Sequence, residues 1–251
     1  MNSDEKAAVA EQFGVAAEQV ERDHLISHLL AFLARDFGDR IHFIGGTALA
    51  RTHLPDGRLS EDIDLIAIGD RKSVAADLDA ALPRALARTH GRLTLDPALS
   101  RVPDTRPVTL RRSDGLTVRV QLLSSRDRVV WPTERRSLVQ RYADAPAAEL
   151  FVPTLPAFAA SKTATWVDRH AARDLWDLWA LTCLGAVDTS AKDLYQRLGP
   201  TNQPPARHDF TKTPTEREWQ NQLAGQTRLK LTARDALRAV RDAWAQVSGS
   251  T

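Results

Sequence analysis

Apolar residues recur at steps of three and four along residues 8–37, with Val15, Val20, Leu25, Ile26, Leu29, Leu30 and Leu33 in phase. That spacing predicts amphipathic helix, divided near Gly14 and stopped at Gly38. Ile41-His42-Phe43-Ile44 is a short buried-strand pattern that leads into Gly45-Gly46-Thr47 and a second short helix to about Leu54. Pro55-Asp56-Gly57 is a turn signature, and Asp62-Ile63-Asp64-Leu65-Ile66 alternates with period two, as a half-buried strand does. Residues 72–89 predict a helix kinked or broken at Pro83. Strand-like runs follow at 93–95, 108–112 and 116–123, with Ser113-Asp114-Gly115 joining the last two as a hairpin. Beyond Trp131-Pro132 the pattern turns helical, with helices near 135–143, 155–167, 171–184, 191–198, 214–225 and 232–247 and a Pro-rich linker at 199–205. The expected organisation is a mixed α and β part over residues 1–133 and a helical part over 134–251, with no internal repeat.

Composition narrows the class. A chain of 251 residues that is 43% apolar and 26% charged has enough material for a packed core and is not disordered or collagen-like. Its one cysteine, Cys183, has no partner for an intramolecular disulfide, and the acidic start MNSDEKAAVAEQF lacks the pattern of a secretory signal, so a cytoplasmic protein is expected. The longest apolar stretches, 25–33 and 175–184, are interrupted by His28 and Asp177 and fall short of the ~20 residues of a membrane span. The formal net charge is only +2, yet the 34 basic residues comprise 28 Arg and 6 Lys. Arginine forks to phosphate, although a balanced total predicts local basic patches rather than a wholly cationic binder. Arg135–Arg141 and the arginines of 106–128 are the candidates for RNA backbone contacts, with solvated surface as the other reading.

The chemistry concentrates in two blocks. Paired glycines at the end of a strand let backbone amides approach a polyphosphate, and after twelve intervening residues beyond Thr47 the chain reads Ser60-Glu61-Asp62-Ile63-Asp64. Two aspartates at i and i+2 of a strand share one face, about 6–7 Å apart, where a divalent cation can bridge them. In this order the combination resembles the signature of nucleotidyltransferases of the DNA polymerase β type. Phe43-Ile-Gly-Gly-Thr-Ala-Leu-Ala50 followed by Arg58-Leu-Ser-Glu-Asp-Ile-Asp-Leu65 resembles more closely the AbiEii/AbiGii-type nucleotidyltransferase toxins, a group that includes the mycobacterial MenT-type toxins. The second block, Lys162, Arg169 and Arg173-Asp174-Leu-Trp-Asp177-Leu, is similar to a pattern that family carries on two consecutive helices. The likeness covers roughly residues 15–185.

The resemblance implies an α+β fold, a mixed sheet with helices followed by a C-terminal helical bundle. It implies a toxin held by a cognate antitoxin, which moves a nucleoside monophosphate from an NTP onto the 3′ acceptor end of tRNA with Mg²⁺, or Mn²⁺, as cofactor. A monomer is expected. Asp62 and Asp64 would hold the metal, and Gly45, Gly46, Thr47, Arg58 and Ser60 would bind the nucleotide. Ser60 shares the face of Asp62 and reads equally as a phosphate ligand, a phosphoryl acceptor or a turn-capping serine. Lys162 lies on the helical face of Leu155, Ala159 and Trp166 and there wants an anion; the family uses this lysine at its active site. Asp177 is the preferred catalytic acid, with Asp174 paired to Arg173 or Arg169, although a purely structural salt bridge between helices would produce the same pattern.

Gln121 departs from the pattern. It stands where polymerase-β-type sites often carry a third carboxylate, which puts a two-metal version of the mechanism in doubt. Two rival readings keep part of this picture: transfer to a protein or small-molecule hydroxyl, and a nucleotide-binding module without catalysis. The tryptophans fall at core spacings, and His24 and His28 stand at i and i+4 but lack a third ligand in the sequence, so no zinc site is expected.

Overall fold

The computed structural model describes residues 1–126 and 128–249. The chain divides into two compact units, Met1–Val152 and a second beginning at Pro153. No helix among the described residues is long and apolar enough to cross a membrane.

The first unit opens with α1 (Ser3–Phe13) and α2 (Ala17–Phe37). Asn2 caps α1 in a reciprocal box with Glu5, and Gly14 ends it in the left-handed region. The chain then runs through β1 (Ile41–Ile44), α3 (Gly45–Ala50), β2 (Asp62–Ala67), α4 (Arg71–Ala85), β3 (Thr94–Asp96), β4 (Val108–Arg111), β5 (Thr117–Ser124), β6 (Thr133–Ser137) and β7 (Glu149–Pro153). Pro83 is accommodated inside α4. The strands form one seven-stranded mixed sheet in the order β3-β4-β5-β2-β1-β7-β6. β1 is antiparallel to β2 and parallel to β7, while β2 is parallel to β5. The Ser113-Asp114-Gly115 turn joins β4 and β5 as the expected antiparallel hairpin.

Residues 133–137 correct the sequence reading. A helix is expected near 135–143, yet Thr133-Glu-Arg-Arg-Ser137 is the edge strand β6, residues 138–143 are not helical, and the apolar Leu150-Phe-Val152 lies in β7 between β6 and β1. An edge strand exposed to water needs charge rather than apolar alternation, so β6 carries no period-two signal. It is hydrogen-bonded along β7, and Arg135 adds a bond to Glu149 on β7 at 2.6 Å and lies over the Phe151 ring at 5.5 Å. These two strands carry the first unit to Val152, nineteen residues beyond 133, where the sequence alone draws its boundary.

A buried polar network fixes the helix that follows β1. Arg51, at the end of α3, bonds Asp23 of α2 at 2.8 Å, and both side chains are almost wholly buried. Tyr142 donates to the other oxygen of Asp23 at 3.0 Å. Burial lowers the Arg51 guanidinium to about 10, offset in part by Asp23. Arg141 is also interior: its guanidinium donates to the carbonyls of Ala50 and Pro55 and lies over Phe13. It is therefore withdrawn from the surface arginines expected to meet RNA. The α3 segment is thus tied to α2 and to the 138–142 chain from below.

The second unit is helical: α5 (Leu155–Arg169), α6 (Ala172–Cys183), α7 (Thr189–Leu198), α8 (Glu216–Leu223) and α9 (Ala233–Gly249). α6 packs on α5, α8 and α9, and α5 on α7. Trp166, Trp219 and Trp244 are buried in it, as their spacing predicts. His170, in the left-handed region, ends α5 so sharply that α6 begins two residues later.

Candidate active site

The chemistry of the first unit is built at the junction of β1, α3 and β2. Antiparallel pairing sets Ile44, the last residue of β1, opposite Asp64. The next residue, Gly45, turns the chain with φ +80°, a conformation that favours glycine. A Cβ at Gly45 would meet the Asp64 carboxylate, so a side chain there would both strain the torsion and displace Asp64. At Gly46 a Cβ would meet the Arg58 guanidinium at 2.6 Å and Ser60 Oγ at 3.4 Å. The paired glycines therefore bring the backbone against Asp64 on one side and against Arg58 and Ser60 on the other. Both of these last residues are buried.

Thr47 takes part differently from its sequence expectation. Its hydroxyl donates to the main-chain carbonyl of Asp62, which laces α3 to β2. That proton is committed, so Thr47 is left with its backbone amide and hydroxyl lone pairs for other contacts.

Asp62 and Asp64 are alternate residues of β2 and project from the same face of the strand. In the neighbouring parallel strand, Arg119 lies in register with Asp62 and Gln121 with Asp64. Arg119 forks onto the Asp62 carboxylate, Nε at 2.8 Å and a terminal nitrogen at 2.6 Å. That bidentate pair holds the Arg119 guanidinium above its ordinary value, with Asp64 and Glu61 adding to the effect. The sequence reading places Arg119 only among the arginines of 106–128 taken as candidate RNA contacts; its pairing with Asp62 follows from the β2–β5 register. Gln121 donates its amide to the main-chain oxygen of Asp104 at 3.0 Å. The strand position beside Asp64 thus carries a neutral donor, in keeping with the missing third acid.

The second block forms within the helical unit. Lys162 of α5 is buried and bonds two carboxylates of α6, Asp177 at 2.6 Å and Asp174 at 3.2 Å. Arg169 grips Asp174 from its exposed side with Nε at 2.6 Å and a terminal nitrogen at 3.1 Å. Of the two partners the sequence allows for Asp174, Arg169 makes this pair. Burial pushes the Asp174 carboxyl up, but Lys162 and Arg169 together hold it below the ordinary value. Two cations and two carboxylates balance, which is what makes so buried a set tolerable.

The structure therefore gathers Gly45, Gly46, Thr47, Arg58, Ser60, Asp62 and Asp64 in the first unit and Lys162, Asp174 and Asp177 in the second. Among the arginines expected to meet RNA, Arg135 is paired with Asp39 and Glu149, Arg112 with Glu21 and Asp114, and Arg128 with Asp104.

Comparison with known proteins gives the family and the fold. The family model described as nucleotidyl transferase AbiEii toxin, type IV TA system, matches residues 29–247. Among solved structures, MenT4, a nucleotidyltransferase toxin from Mycobacterium tuberculosis H37Rv, superposes with a TM-score of 0.71 at 23% identity, covering 98% of this chain and 90% of that one. An antigenic nucleotidyltransferase-like protein from Paracoccidioides brasiliensis aligns at 16% identity and a TM-score of 0.41, covering 63% of this chain and 76% of the other. No curated protein matches the sequence.

Proposed function

This chain belongs to the AbiEii family of nucleotidyltransferase toxins of toxin–antitoxin systems, and on that premise we propose that it transfers a nucleoside monophosphate from an NTP to the 3′ acceptor end of tRNA, with Mg²⁺ or Mn²⁺, and is restrained by a cognate antitoxin. The observation that carries the reaction is the packing of the Gly45 turn against Asp64. It seats backbone directly against a carboxylate, where a Cβ would require Asp64 to move.

The donor set fits a hard divalent cation: two carboxylates on one face of one strand, hemmed by a glycine that a Cβ would displace. Asp62 and Asp64 are the residues that would hold it. Bound there, the cation would neutralise phosphate charge and favour in-line displacement of pyrophosphate. Gly45 and Gly46 supply amides to the phosphates, and Arg58 and Ser60, flanking Gly46, supply a cation and a hydroxyl. Arg119 orients the Asp62 carboxylate, and it competes with any cation for the same oxygens. By resemblance, Lys162 and Asp177 also serve the transfer, Asp177 as the acid or base that handles the acceptor's proton.

The test is incubation of purified chain with total RNA and each labelled NTP, followed by separation of RNA from protein. Label is expected on tRNA 3′ ends, falling about 10³-fold in Asp62→Asn, as expected when a group stabilising transition-state charge is lost. Label confined to protein, Ser60 included, would overturn the tRNA acceptor. Expression of the wild type should arrest growth, and co-expression of the antitoxin should relieve it.

A further inference from the structure

The sequence offers His24 and His28 one turn apart on α2 without a third ligand, and the fold brings in two more groups from distant parts of the first unit. His90 arrives from the turn after α4, with ring centroids 4.9 Å from His24 and 4.8 Å from His28. One ligand nitrogen from each of the three rings lies within 4.8 Å of the other two. Asp144 arrives from the segment between β6 and β7, its carboxylate oxygens 3.0 and 3.1 Å from His24 Nε2 and one of them 3.8 Å from His28 Nε2. His24 Nε2 and His28 Nε2 face each other at 3.2 Å.

These distances have the scale of a coordination polyhedron. With metal–nitrogen bonds of 2.0–2.1 Å, neighbouring ligand atoms of a tetrahedral zinc site lie about 3.3 Å apart. All three histidines are buried, and His90 Nε2 is a buried polar atom with no hydrogen-bond partner among the described residues, the kind of atom that calls for one. We propose that His24, His28, His90 and Asp144 form a zinc site that pins α2, the turn after α4 and the segment between β6 and β7 together.

Two neighbours shape it. The N-terminal ammonium of Met1 also bonds Asp144 Oδ2, which leaves Oδ1 for the metal. Arg112 stands 3.4 Å from His90 Nδ1, the outer limit of a hydrogen bond. Coordination through Nε2 places the proton on Nδ1, so the guanidinium turns away toward Asp114 and Glu21, which already hold it. Imidazole nitrogens with one carboxylate suit zinc and its neighbours in the transition series and do not suit Mg²⁺. The four ligands close the polyhedron, so the role is to hold structure, and it shares no residue with Asp62 and Asp64.

The experiment is metal analysis of the purified full chain, then chelation and reloading. About one equivalent of Zn²⁺ per chain is expected, with a melting temperature that falls by about 10 °C on stripping and returns with Zn²⁺ but not Mg²⁺. Loading with Co²⁺ should give the intense visible bands of a tetrahedral centre. His90→Gln and His28→Gln should each lose the metal, while Asp62→Asn should keep it and lose transfer only. A stripped wild-type chain that neither binds Zn²⁺ stoichiometrically nor gains stability from it would overturn the proposal. So would a weak octahedral Co²⁺ spectrum, or a zinc content that disappears in Asp62→Asn.

Discussion

Gly45 and Asp64 act as one feature, because the space a side chain would need at 45 is filled by the carboxylate at 64. Gly45→Ala is expected to lose about 1–2 kcal/mol of stability for its left-handed torsion and to lose transfer by a much larger factor through displacement of Asp64. Urea unfolding and the labelled-NTP assay measure the two separately, and transfer near the wild-type rate would remove Gly45 from the mechanism. Arg119 gives a prediction of the opposite kind. Replacing it with methionine removes the guanidinium that forks onto Asp62, so the Mg²⁺ concentration for half-maximal activity should fall several-fold; a requirement that rises would mean that Arg119 helps to hold the nucleotide instead. The glycines, Ser60 and the two aspartates were legible in the sequence because they lie within twenty residues of one another. Arg119 was not, because its bond to Asp62 spans 57 residues and only the β2–β5 register makes it. The same reason hid His90 and Asp144 from His24, the latter 120 residues away.

The α5–α6 pair is held by an ion set whose members cannot be removed singly. Lys162→Met removes the buried cation that Asp177 and Asp174 share and should cost about 3–5 kcal/mol, whereas Lys162→Met with Asp177→Leu should recover most of that loss. If both residues serve the transfer, the double variant is folded and inactive; an active double variant would make the pair purely structural. The set also gives the unit an acid limb. The folded Asp174 carboxyl lies below its unfolded value of 3.8, so its contribution to stability is complete above that value and is lost as the pH falls through the folded one. Unfolding followed by circular dichroism should therefore steepen below about pH 4, and Asp174→Asn, less stable at neutral pH, should show a flatter limb. Helices α5 to α9 were legible because each buries an apolar stripe of period 3.6. Strand β6 was not, since its five residues are all polar and are held by Arg135 and its partners rather than by a buried face.

Across the whole chain the 28 arginines make a weaker field than their number suggests, because those at 22, 51, 112, 119, 128, 135 and 169 are already bonded to carboxylates. With a net charge of +2, binding to tRNA should depend only shallowly on salt, with a slope of log K against log[salt] no steeper than about −3. A slope of the size that six to ten phosphate contacts give would mean that paired arginines are released to the RNA. Arg141→Ala should leave the slope unchanged and lower stability, because that guanidinium is spent on Ala50, Pro55 and the Phe13 ring. The sheet order, finally, sets a clock on synthesis. The glycine turn and both aspartates have left the peptidyl-transferase centre by Ala67, yet β1 does not receive its second neighbour until β7 is made at Glu149–Pro153. At about 5–20 residues per second a ribosome needs roughly 4–17 s to cross that gap. For that interval each nascent chain lacks the strand that flanks β1 on its second side, and a chain terminated within it would never gain that strand.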